Sequence, residues 1–244
     1  MSDWFKDWFS SDKYLTVYSH RNKEDAEKLL NLILSNVQLS SGEKVLDAAC
    51  GAGRHSISLT QKGFDATGFD LSFPLLKAAK KNAAQNGINL KLFRADIRDV
   101  FLKEKFDMIL NVFTSFGYFN TMSENFSFIR HSENFIKKGG YFVFDFFNKS
   151  YVKKNLIPET TRKIDSIVIN ERREIVENRV VKNIELIEEG KINKFKESVY
   201  LYHPYMIIKE FEAVGYEPVK LFGNYDGCEF NELKSERFIA IFKA

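Results

Sequence analysis

Apolar and polar positions alternate in blocks along roughly the first 150 residues of the chain. Apolar runs predict five β-strands, at about 44–49, 65–70, 89–96, 106–113 and 141–147. Apolar residues at helical spacing between these runs predict helices at about 23–37, 54–62, 72–87 and 123–136. Strands that alternate with helices in this way are typical of a parallel sheet with helices packed on both faces.

The alternation stops after the fifth strand. Runs at about 166–169, 180–187 and 195–202 predict strands without helices between them, and Glu188-Glu189-Gly190-Lys191 predicts a hairpin turn. A connection in this kind of fold ordinarily takes about 2–6 residues. We therefore interpret 149–202 as an antiparallel β insertion, built on the C-terminal edge of the sheet and covering the substrate site.

A helix at 204–215 and two more strands, at about 218–225 and 235–242, follow the insertion. An antiparallel pairing of these last two strands is one arrangement that the pattern allows. Residues 1–244 contain no internal repeat and no low-complexity linker, so they are predicted to form one domain. The predicted fold class is α/β: a doubly wound, mostly parallel sheet of seven strands, with the antiparallel insertion after strand 5.

Residues 1–22 form an aromatic N-terminal lead. Trp4 and Trp8, like Phe5 and Phe9, are four residues apart, so a short helix would put each pair on one side. Two compatible interpretations remain open. The segment packs its rings onto the domain, or it forms a lid over the cofactor or the substrate.

Composition narrows the class of partner. Aromatic residues make up 15% of the chain and include 24 Phe, which predicts a Phe-rich core. The net charge is only +3, with Lys and Arg dispersed among nearly as many acids, so we expect no nucleic acid partner. No apolar stretch approaches the roughly 18 residues of a membrane span, and the N-terminus is not that of a signal peptide. Cys50 and Cys228 suit a reducing compartment, so we expect a cytoplasmic protein. We also expect a monomer or a homodimer, without a membrane partner.

The candidate ligand site lies where the first predicted strand ends. Asp47 closes that strand, and a small-residue loop with Gly51 and Gly53 leads into a helix. Small residues let a ligand approach the backbone, and a helix start presents free N–H groups. The loop is G-x-G-x-x-S, with Ser56 where the dinucleotide-binding fingerprint has a third Gly. Asp70 lies about twenty residues on, where a ribose-binding acid belongs, so the loop alone does not separate NAD from another adenosine ligand.

Asp47 favours a cationic ligand. An acid at the end of a buried strand would repel a pyrophosphate beside the loop and would suit an ammonium group. Asp96, at the end of the third predicted strand, adds an acceptor for an adenine amine. S-adenosylmethionine carries an ammonium and a sulfonium and has no phosphate. Asp47, Asp70 and Asp96 therefore fit S-adenosylmethionine better than they fit NAD.

Residues 40–148 or so resemble the class I S-adenosylmethionine-dependent methyltransferases. The family's loop, acid-x-small-x-Gly-x-Gly, matches 47–53, and its ribose-binding and adenine-binding acids fall on Asp70 and Asp96. Residues 111–119 are similar to a bacterial small-molecule subgroup that also carries a β insertion. One position departs: Ala49 stands where the family has its first loop glycine. Because Ala takes positive φ only at a cost, this position has either ordinary dihedral angles or a strained backbone.

The resemblance implies a Rossmann-like methyltransferase fold and S-adenosylmethionine as the cofactor. Residues carried over as cofactor contacts are Asp47, Ala49, Gly51, Gly53, Asp70, Leu71, Asp96, Ile97, Asn111 and Phe113. Tyr18 and Arg21 join them, because N-terminal elements of similar enzymes reach the methionine carboxylate. No metal site is predicted.

The acceptor is less well marked in the sequence. Methyl transfer from a sulfonium needs alignment and exclusion of water, and only a hydroxyl or carbon acid needs a base. No Pro-Pro-aromatic run follows Asn111, which argues against adenine or amide nitrogen as the acceptor. We expect a small molecule with an N, O or C nucleophile, and a protein or tRNA as the alternative. His203 is the candidate base, with a structural role at a helix start as the alternative, and Tyr118 is the second candidate.

Further acceptor-side contacts are expected from Phe116, Phe147, Asn148 and the run Tyr200-Leu201-Tyr202 that leaves the insertion. His55 is expected to be structural or near the cofactor. Two other function classes stay open. One is an NAD-dependent oxidoreductase that uses the same crevice. The other is a module that binds S-adenosylmethionine without transferring its methyl group.

Overall fold

The computed structural model describes residues 3–18 and 23–244. Its strands, in chain order, are β1 (Lys44–Ala48), β2 (Asp65–Asp70), β3 (Lys91–Arg94), β4 (Phe106–Asn111), β5 (Ile136–Phe147), β6 (Glu159–Ile164), β7 (Ile167–Val176), β8 (Arg179–Glu188), β9 (Lys191–Tyr200), β10 (Glu217–Phe222) and β11 (Arg237–Lys243). Its helices are α1 (Trp4–Ser10), α2 (Lys13–Val17), α3 (Lys23–Leu34), α4 (Arg54–Gln61), α5 (Phe73–Gln85), α6 (Met122–Ser132), α7 (Lys149–Asn155) and α8 (Pro204–Glu212).

Seven strands form the main sheet, in the order β10-β11-β5-β4-β1-β2-β3. β11 pairs antiparallel with β10 and β5, and every other neighbouring pair in the sheet is parallel. This confirms the predicted α/β sheet, including the antiparallel pairing of the last two strands. In the sheet, β2 lies on one side of β1 and β4 lies on the other, so the chain crosses from one side of β1 to the other between β3 and β4. Ligands of doubly wound sheets bind at the carboxyl ends of the strands beside such a crossover point.

The insertion forms a separate antiparallel sheet in the order β6-β7-β8-β9, as predicted. The predicted turn at 188–191 joins β8 to β9. The pattern missed two elements. Helix α7 is capped by Asn148, whose side chain accepts from Ser150 N at 3.2 Å. Strand β6 carries polar residues at the sheet edge and so has no apolar run.

The boundary between α6 and β5 also differs from the prediction. The helix ends at Ser132 rather than near 136, and β5 begins at Ile136 and continues through Gly139-Gly140. That Gly pair was predicted to be a turn. Instead the pair belongs to the first part of β5, where Gly139 N donates to Ala244 O at 2.7 Å.

Phenylalanine dominates the core, in agreement with the composition. Phe142, Phe144 and Phe146 of β5 are fully buried on one face of the main sheet, and Phe211 of α8 stacks on Phe242 at 3.8 Å. The opposite face of the sheet consists of apolar side chains of β1, β4, β5 and β11. It packs against Leu29, Leu30 and Ile33 of α3. Both faces of the sheet are therefore buried, as parallel sheets require.

The N-terminal helices lie against the insertion sheet. Trp8 is almost fully buried, with its ring 4.3 Å from Phe195 and its Nε1 donating to Glu197 Oε1 at 2.7 Å. Phe5 makes an edge contact with Phe119 at 5.4 Å. Trp8 thus joins the N-terminal segment to the insertion, and Phe5 joins it to the loop after β4. No helix among residues 3–18 and 23–244 is long and apolar enough to cross a membrane.

Candidate active site

A cavity of about 300 Å³ lies at the carboxyl ends of the central strands. Small-molecule sites have volumes of about 300–1,000 Å³. The loop after β1 forms its floor, and loops after β2, β3 and β4 form its walls. The N-terminal segment adds aromatic side chains, namely Phe5, Phe9, Tyr14 and Tyr18.

The loop after β1 contains three residues in the left-handed region. Gly51 has φ 54° and Gly53 has φ 78°, which glycine adopts at no steric cost. Ala49 has φ 57°, so the strained alternative is the one that the structure adopts. Left-handed backbone costs a residue with a Cβ about 1–2 kcal/mol. Gly53 does not line the cavity but precedes α4, where a Cβ would come 3.0 Å from the Cβ of Ala79.

Asp47 is buried, with 1% of its surface exposed. Its Oδ2 accepts from Ser56 N at 3.1 Å and from Ser56 Oγ at 2.5 Å. Burial raises the pKa of Asp47 to about 6, although the Ser56 hydrogen bonds oppose the rise. The serine that replaces the third fingerprint glycine therefore holds a buried acid. That acid gains from any cation placed in the cavity.

Asp70 is fixed by backbone N–H groups on either side of it. Oδ2 accepts from Gly51 N at 2.9 Å and Oδ1 from Ser72 N at 2.8 Å. Burial raises its pKa, and these backbone bonds oppose that effect. Each carboxylate oxygen has a second acceptor position. Asp70 can therefore receive hydrogen bonds from neighbouring ligand hydroxyls while it stays in place.

Asp96 has a partner that the sequence did not indicate. Arg98 Nε and Nη2 donate to its two oxygens at 3.1 and 2.8 Å, and Arg98 N donates at 3.0 Å. Burial alone would raise the pKa of Asp96, but Arg98 outweighs it and lowers the pKa. Arg98 also donates to Glu124 at 3.0 Å and lies 4.5 Å from the Phe119 ring. Asp96 is therefore a firmly ionised acceptor.

Nine of the twelve predicted cofactor contacts lie at the cavity. The cavity is lined by Tyr18, Asp47, Ala49, Gly51, Asp70, Leu71, Asp96, Ile97 and Phe113. Asn111 lies buried outside the lining, where its Nδ2 donates to Ala48 O and Ser115 O at 3.4 Å. Its role is to tie the end of β4 to β1. Arg21 lies outside the described residues.

The structure does not bring His203 to the cavity. This residue precedes α8, where Nδ1 accepts from Tyr205 N at 3.2 Å and Nε2 lies 2.9 Å from Glu232 Oε1. Its side chain is 40% exposed and does not line the cavity. The predicted base is therefore corrected to a helix-capping histidine, because Pro204 starts a helix that uses the ring as its cap.

Acceptor-side candidates also separate. Tyr118 lines the cavity, and its hydroxyl donates to Thr114 O at 2.6 Å. Phe116 and Tyr202 are part of the core and Tyr200 packs against it, so neither Phe116 nor the run 200–202 lines the cavity. Asn148 donates to Glu232 O and Ser235 O at 2.7 Å, so its amide is engaged in holding loops together. Phe147 is half-buried at the end of β5 and does not line the cavity. Tyr118 is the predicted acceptor contact that reaches the site.

His55 lines the cavity and is buried. Its Nε2 has no hydrogen-bond partner among the described residues, and its ring lies 5.1 Å from Phe113. Burial lowers the pKa of His55 to about 3, so the imidazole is neutral at physiological pH. A buried ring nitrogen without a partner is unusual. The position of His55 close to the cofactor loop was predicted from the sequence, but its unpaired ring nitrogen was not.

The chain matches the family model described as "Methyltransferase domain" over residues 39–195. It is 29% identical over 136 residues to the dTDP-3-amino-3,4,6-trideoxy-alpha-D-glucopyranose N,N-dimethyltransferase of Streptomyces venezuelae, covering 54% of this chain and 55% of that protein. It is 27% identical over 121 residues to the ubiquinone biosynthesis O-methyltransferase of Photorhabdus laumondii, covering 50% of each. The chain thus spans about half the length of the curated relatives it matches.

Solved structures extend the likeness in fold to nearly the whole chain. An S-adenosylmethionine-dependent methyltransferase from Clostridium acetobutylicum superposes with a TM-score of 0.82 at 19% identity, covering 95% of this chain and 98% of that one. At this identity the likeness shows the fold alone. The family model agrees with the resemblance carried by the glycine-rich loop and the acids after β2 and β3. Because it covers more than half of the 244 residues, the chain belongs to the methyltransferase-domain family.

Proposed function

We propose that the chain is an S-adenosylmethionine-dependent methyltransferase that acts on a small molecule. The observation that carries this proposal is that Asp47, Asp70 and Asp96 line one cavity at the crossover point of the sheet. Three carboxylates would repel the pyrophosphate of NAD and suit an adenosine ligand with cationic groups. When bound, S-adenosylmethionine supplies a methyl group that an acceptor nucleophile takes by in-line displacement.

Each acid has a distinct task in this proposal. Asp70 accepts hydrogen bonds from the ribose hydroxyls, because Gly51 and Ser72 hold its two oxygens in place. Asp96 accepts from the adenine amine, and Asp47 attracts the ammonium group by charge. Burial gives the Asp47 interaction its strength, since a charge pair is worth more in a medium of low dielectric constant.

The contribution of the chain to transfer is alignment and exclusion of water. His203 lies away from the cavity, and among residues 3–18 and 23–244 the imidazole that lines it is neutral His55. An amine acceptor needs only to be unprotonated when it attacks. The names of the two curated relatives include an N,N-dimethyltransferase and an O-methyltransferase, so similar chains differ in the acceptor atom. We place Tyr118 on the acceptor side of the cavity. The atom that accepts the methyl group is an N, O or C nucleophile of the small molecule.

We further propose that the N-terminal segment is a lid and that the insertion holds it closed. Trp8 Nε1 and the Tyr18 hydroxyl both donate to Glu197 on β9, and Lys182 forms an ion pair with Glu197 at 2.6 Å. Burial alone would raise the pKa of Glu197, but Lys182 and these hydrogen bonds outweigh it and lower the pKa. Tyr18 also lines the cavity, so Glu197 connects the insertion to the site.

We also propose a cytoplasmic setting. We propose that the chain is a monomer or a homodimer, and light scattering after size-exclusion chromatography distinguishes these two states.

Calorimetry with S-adenosylhomocysteine and with NAD tests the cofactor. We expect S-adenosylhomocysteine to bind and NAD to give no heat. Asp70→Ala should weaken binding by about 1–3 kcal/mol, because it leaves ribose donors unpaired. Asp65→Ala is the matched control: Asp65 lies at the opposite end of β2, where it pairs with Lys91 on the surface, and its loss should leave affinity unchanged.

The acceptor class is tested by transfer from methyl-labelled S-adenosylmethionine to a panel of amino sugars, amines and phenols. We expect label in the small-molecule fraction. Tight NAD binding without a response to S-adenosylhomocysteine would overturn the cofactor assignment. Label that appears only in precipitated protein or tRNA would overturn the acceptor class.

A further inference from the structure

Two consecutive residues after β4 have left-handed backbone although neither is glycine. Phe113 has φ 56° and Thr114 has φ 65°. A bulky aromatic residue and a β-branched residue are both outliers in this region. Such strain persists only where the surrounding structure fixes the backbone, and it concentrates at ligand sites. Neighbouring residues must therefore hold the bend at 113–114 in place.

Asp145 of β5 holds both amides of the bend. Its Oδ2 accepts from Phe113 N at 2.9 Å, and its backbone oxygen accepts from Thr114 N at 3.2 Å. Its side chain is fully buried. A residue of the adjacent parallel strand thus satisfies two donors that the bend removes from the β4 ladder.

Arg237 and Tyr225 fix the Asp145 carboxylate in turn. Arg237 Nε donates to Oδ1 at 2.8 Å, and its Nη2 lies 2.7 Å from the same oxygen and donates to Thr114 Oγ1 at 3.1 Å. The Tyr225 hydroxyl donates to Oδ2 at 3.1 Å. Burial raises the pKa of Tyr225, so the phenol keeps its proton and remains a donor. Burial alone would lower the pKa of Arg237, but the Asp145 carboxylate outweighs it, so the guanidinium stays charged.

The bend decides what faces the cavity. It places the Phe113 ring between His55, at 5.1 Å, and Tyr225, on which it stacks at 5.5 Å. The Thr114 carbonyl that the bend presents accepts from the Tyr118 hydroxyl at 2.6 Å. Phe113 and Tyr118 both line the cavity. The bend therefore sets one aromatic wall of the site and the position of the acceptor-side tyrosine.

We propose that Asp145 is a positioning residue, which with Arg237 and Tyr225 holds the strained bend at 113–114 and so aligns this wall against the cofactor. The expected effect of Asp145 on cofactor binding rests on the proposed function. The hold of Asp145 on the bend is a property of the ligand-free chain alone. Asp145 does not line the cavity and acts through Phe113 and Tyr118.

Hydrogen exchange of the ligand-free chain tests the structural part. Asp145→Asn puts an amide donor or a neutral oxygen opposite Phe113 N and should speed exchange of the amides at 113–114 by about tenfold or more. Exchange in β1 should stay unchanged. Tyr225→Phe is the milder variant and keeps the ion pair between Asp145 and Arg237, so it should show a smaller change at the same amides. If the amides at 113–114 exchange as in the parent chain in both variants, the proposal is overturned.

Binding of S-adenosylhomocysteine tests the consequence. Asp145→Asn should lower its affinity by about tenfold, and adding Thr114→Gly should restore part of that loss, because glycine adopts positive φ without support. A purely structural role predicts instead that Thr114→Gly adds to the loss. Asp107→Asn is the matched control, since Asp107 also accepts from a backbone N–H, that of Lys44 at 2.9 Å, but at the other end of the sheet. Its affinity should equal that of the parent chain.

The two proposals fail in different ways. If the parent chain does not bind S-adenosylhomocysteine, the proposed function fails, and hydrogen exchange still decides whether Asp145 holds the bend. If the parent chain binds but the double variant binds more weakly than Asp145→Asn, the positioning role fails and the proposed function stands.

Discussion

Replacing Asp47 with Asn should stabilise the ligand-free chain at neutral pH. Burial raises the pKa of Asp47 from 3.8 to about 6, which means that the folded state prefers the protonated acid. The stabilising contribution of this group is fully present below pH 3.8 and is lost as the pH rises through about 6. At neutral pH the parent chain therefore folds around a buried carboxylate that burial disfavours. Asparagine carries no such charge at any pH.

The size of the effect follows from the shift. A change of about two pKa units corresponds to about 3 kcal/mol, at roughly 1.36 kcal/mol for each unit. The amide oxygen of Asn can accept from Ser56 N as the carboxylate does, so that hydrogen bond is kept. We expect the free energy of unfolding of Asp47→Asn to exceed that of the parent by up to about 3 kcal/mol near pH 7.5. The difference should shrink towards zero near pH 4.

Urea unfolding without ligand, repeated from about pH 4 to 8, measures this difference. Asp96→Asn provides the opposite sign. Arg98 lowers the pKa of Asp96, so this carboxylate contributes stability above its unfolded pKa that is lost as the pH falls. Its replacement should destabilise the chain at neutral pH and have little effect in acid. An Asp47→Asn chain that is less stable than the parent at pH 7.5 would refute the reasoning.

Although Asp47→Asn should stabilise the ligand-free chain, it should weaken ligand binding at the cavity. Without the carboxylate, the cavity loses the charge that we assign to the ligand ammonium, so S-adenosylhomocysteine should bind more weakly by roughly tenfold or more. Near pH 6, where about half of the Asp47 side chains carry a proton, binding of a cation should release part of that proton. Calorimetry in buffers of different ionisation enthalpy would detect the release, and Asp47→Asn should abolish it.

Four further substitutions test the loop and the lid. Ala49→Gly removes left-handed strain and should raise the free energy of unfolding in urea by up to about 1 kcal/mol. Gly53→Ala adds strain and a contact with Ala79 at 3.0 Å, so it should cost more stability than Gly51→Ala, whose added methyl meets open space. Glu197→Gln weakens the hold on the N-terminal segment and should speed its removal in limited proteolysis, whereas unchanged cleavage would count against a lid held by this residue.

The main sheet was predictable because its strands are local apolar runs that are buried on both faces. Leu46, Ile109 and Phe144 are fully buried, and each lies in a run that the pattern identified. Strand β6 was missed because only every second residue of this edge strand is partly buried, and those positions include Thr160 and Arg162. Edge strands owe their structure to the neighbouring strand rather than to their own composition.

The acids of the site were predictable for a related reason. Asp47 and Asp70 fall at strand ends that the local sequence determines, so their approach to one another follows from the parallel sheet. The ion pairs around the site were not predictable, because Arg98 and Glu124, and Arg237 and Asp145, come together only in the folded chain. His203 shows the converse error, in which a residue type suited to catalysis serves as a helix cap.

Among the described residues, non-glycine residues with positive φ fall into two groups. Non-glycine residues with positive φ occur in the hairpin turns of the insertion, at Asp165, Glu177, Asn178 and Glu189, where such turns require it. The others are Ala49, Phe113 and Thr114, which follow β1 and β4. These two strands are adjacent at the centre of the main sheet, and their carboxyl ends border the cavity. These three residues lie in turns beside the cavity rather than in hairpins, and left-handed backbone costs each of them stability. The buried charge of Asp47 adds a similar cost at the same place. Unfavourable features gathered around one cavity indicate that its geometry is set by ligand binding rather than by the stability of the ligand-free chain.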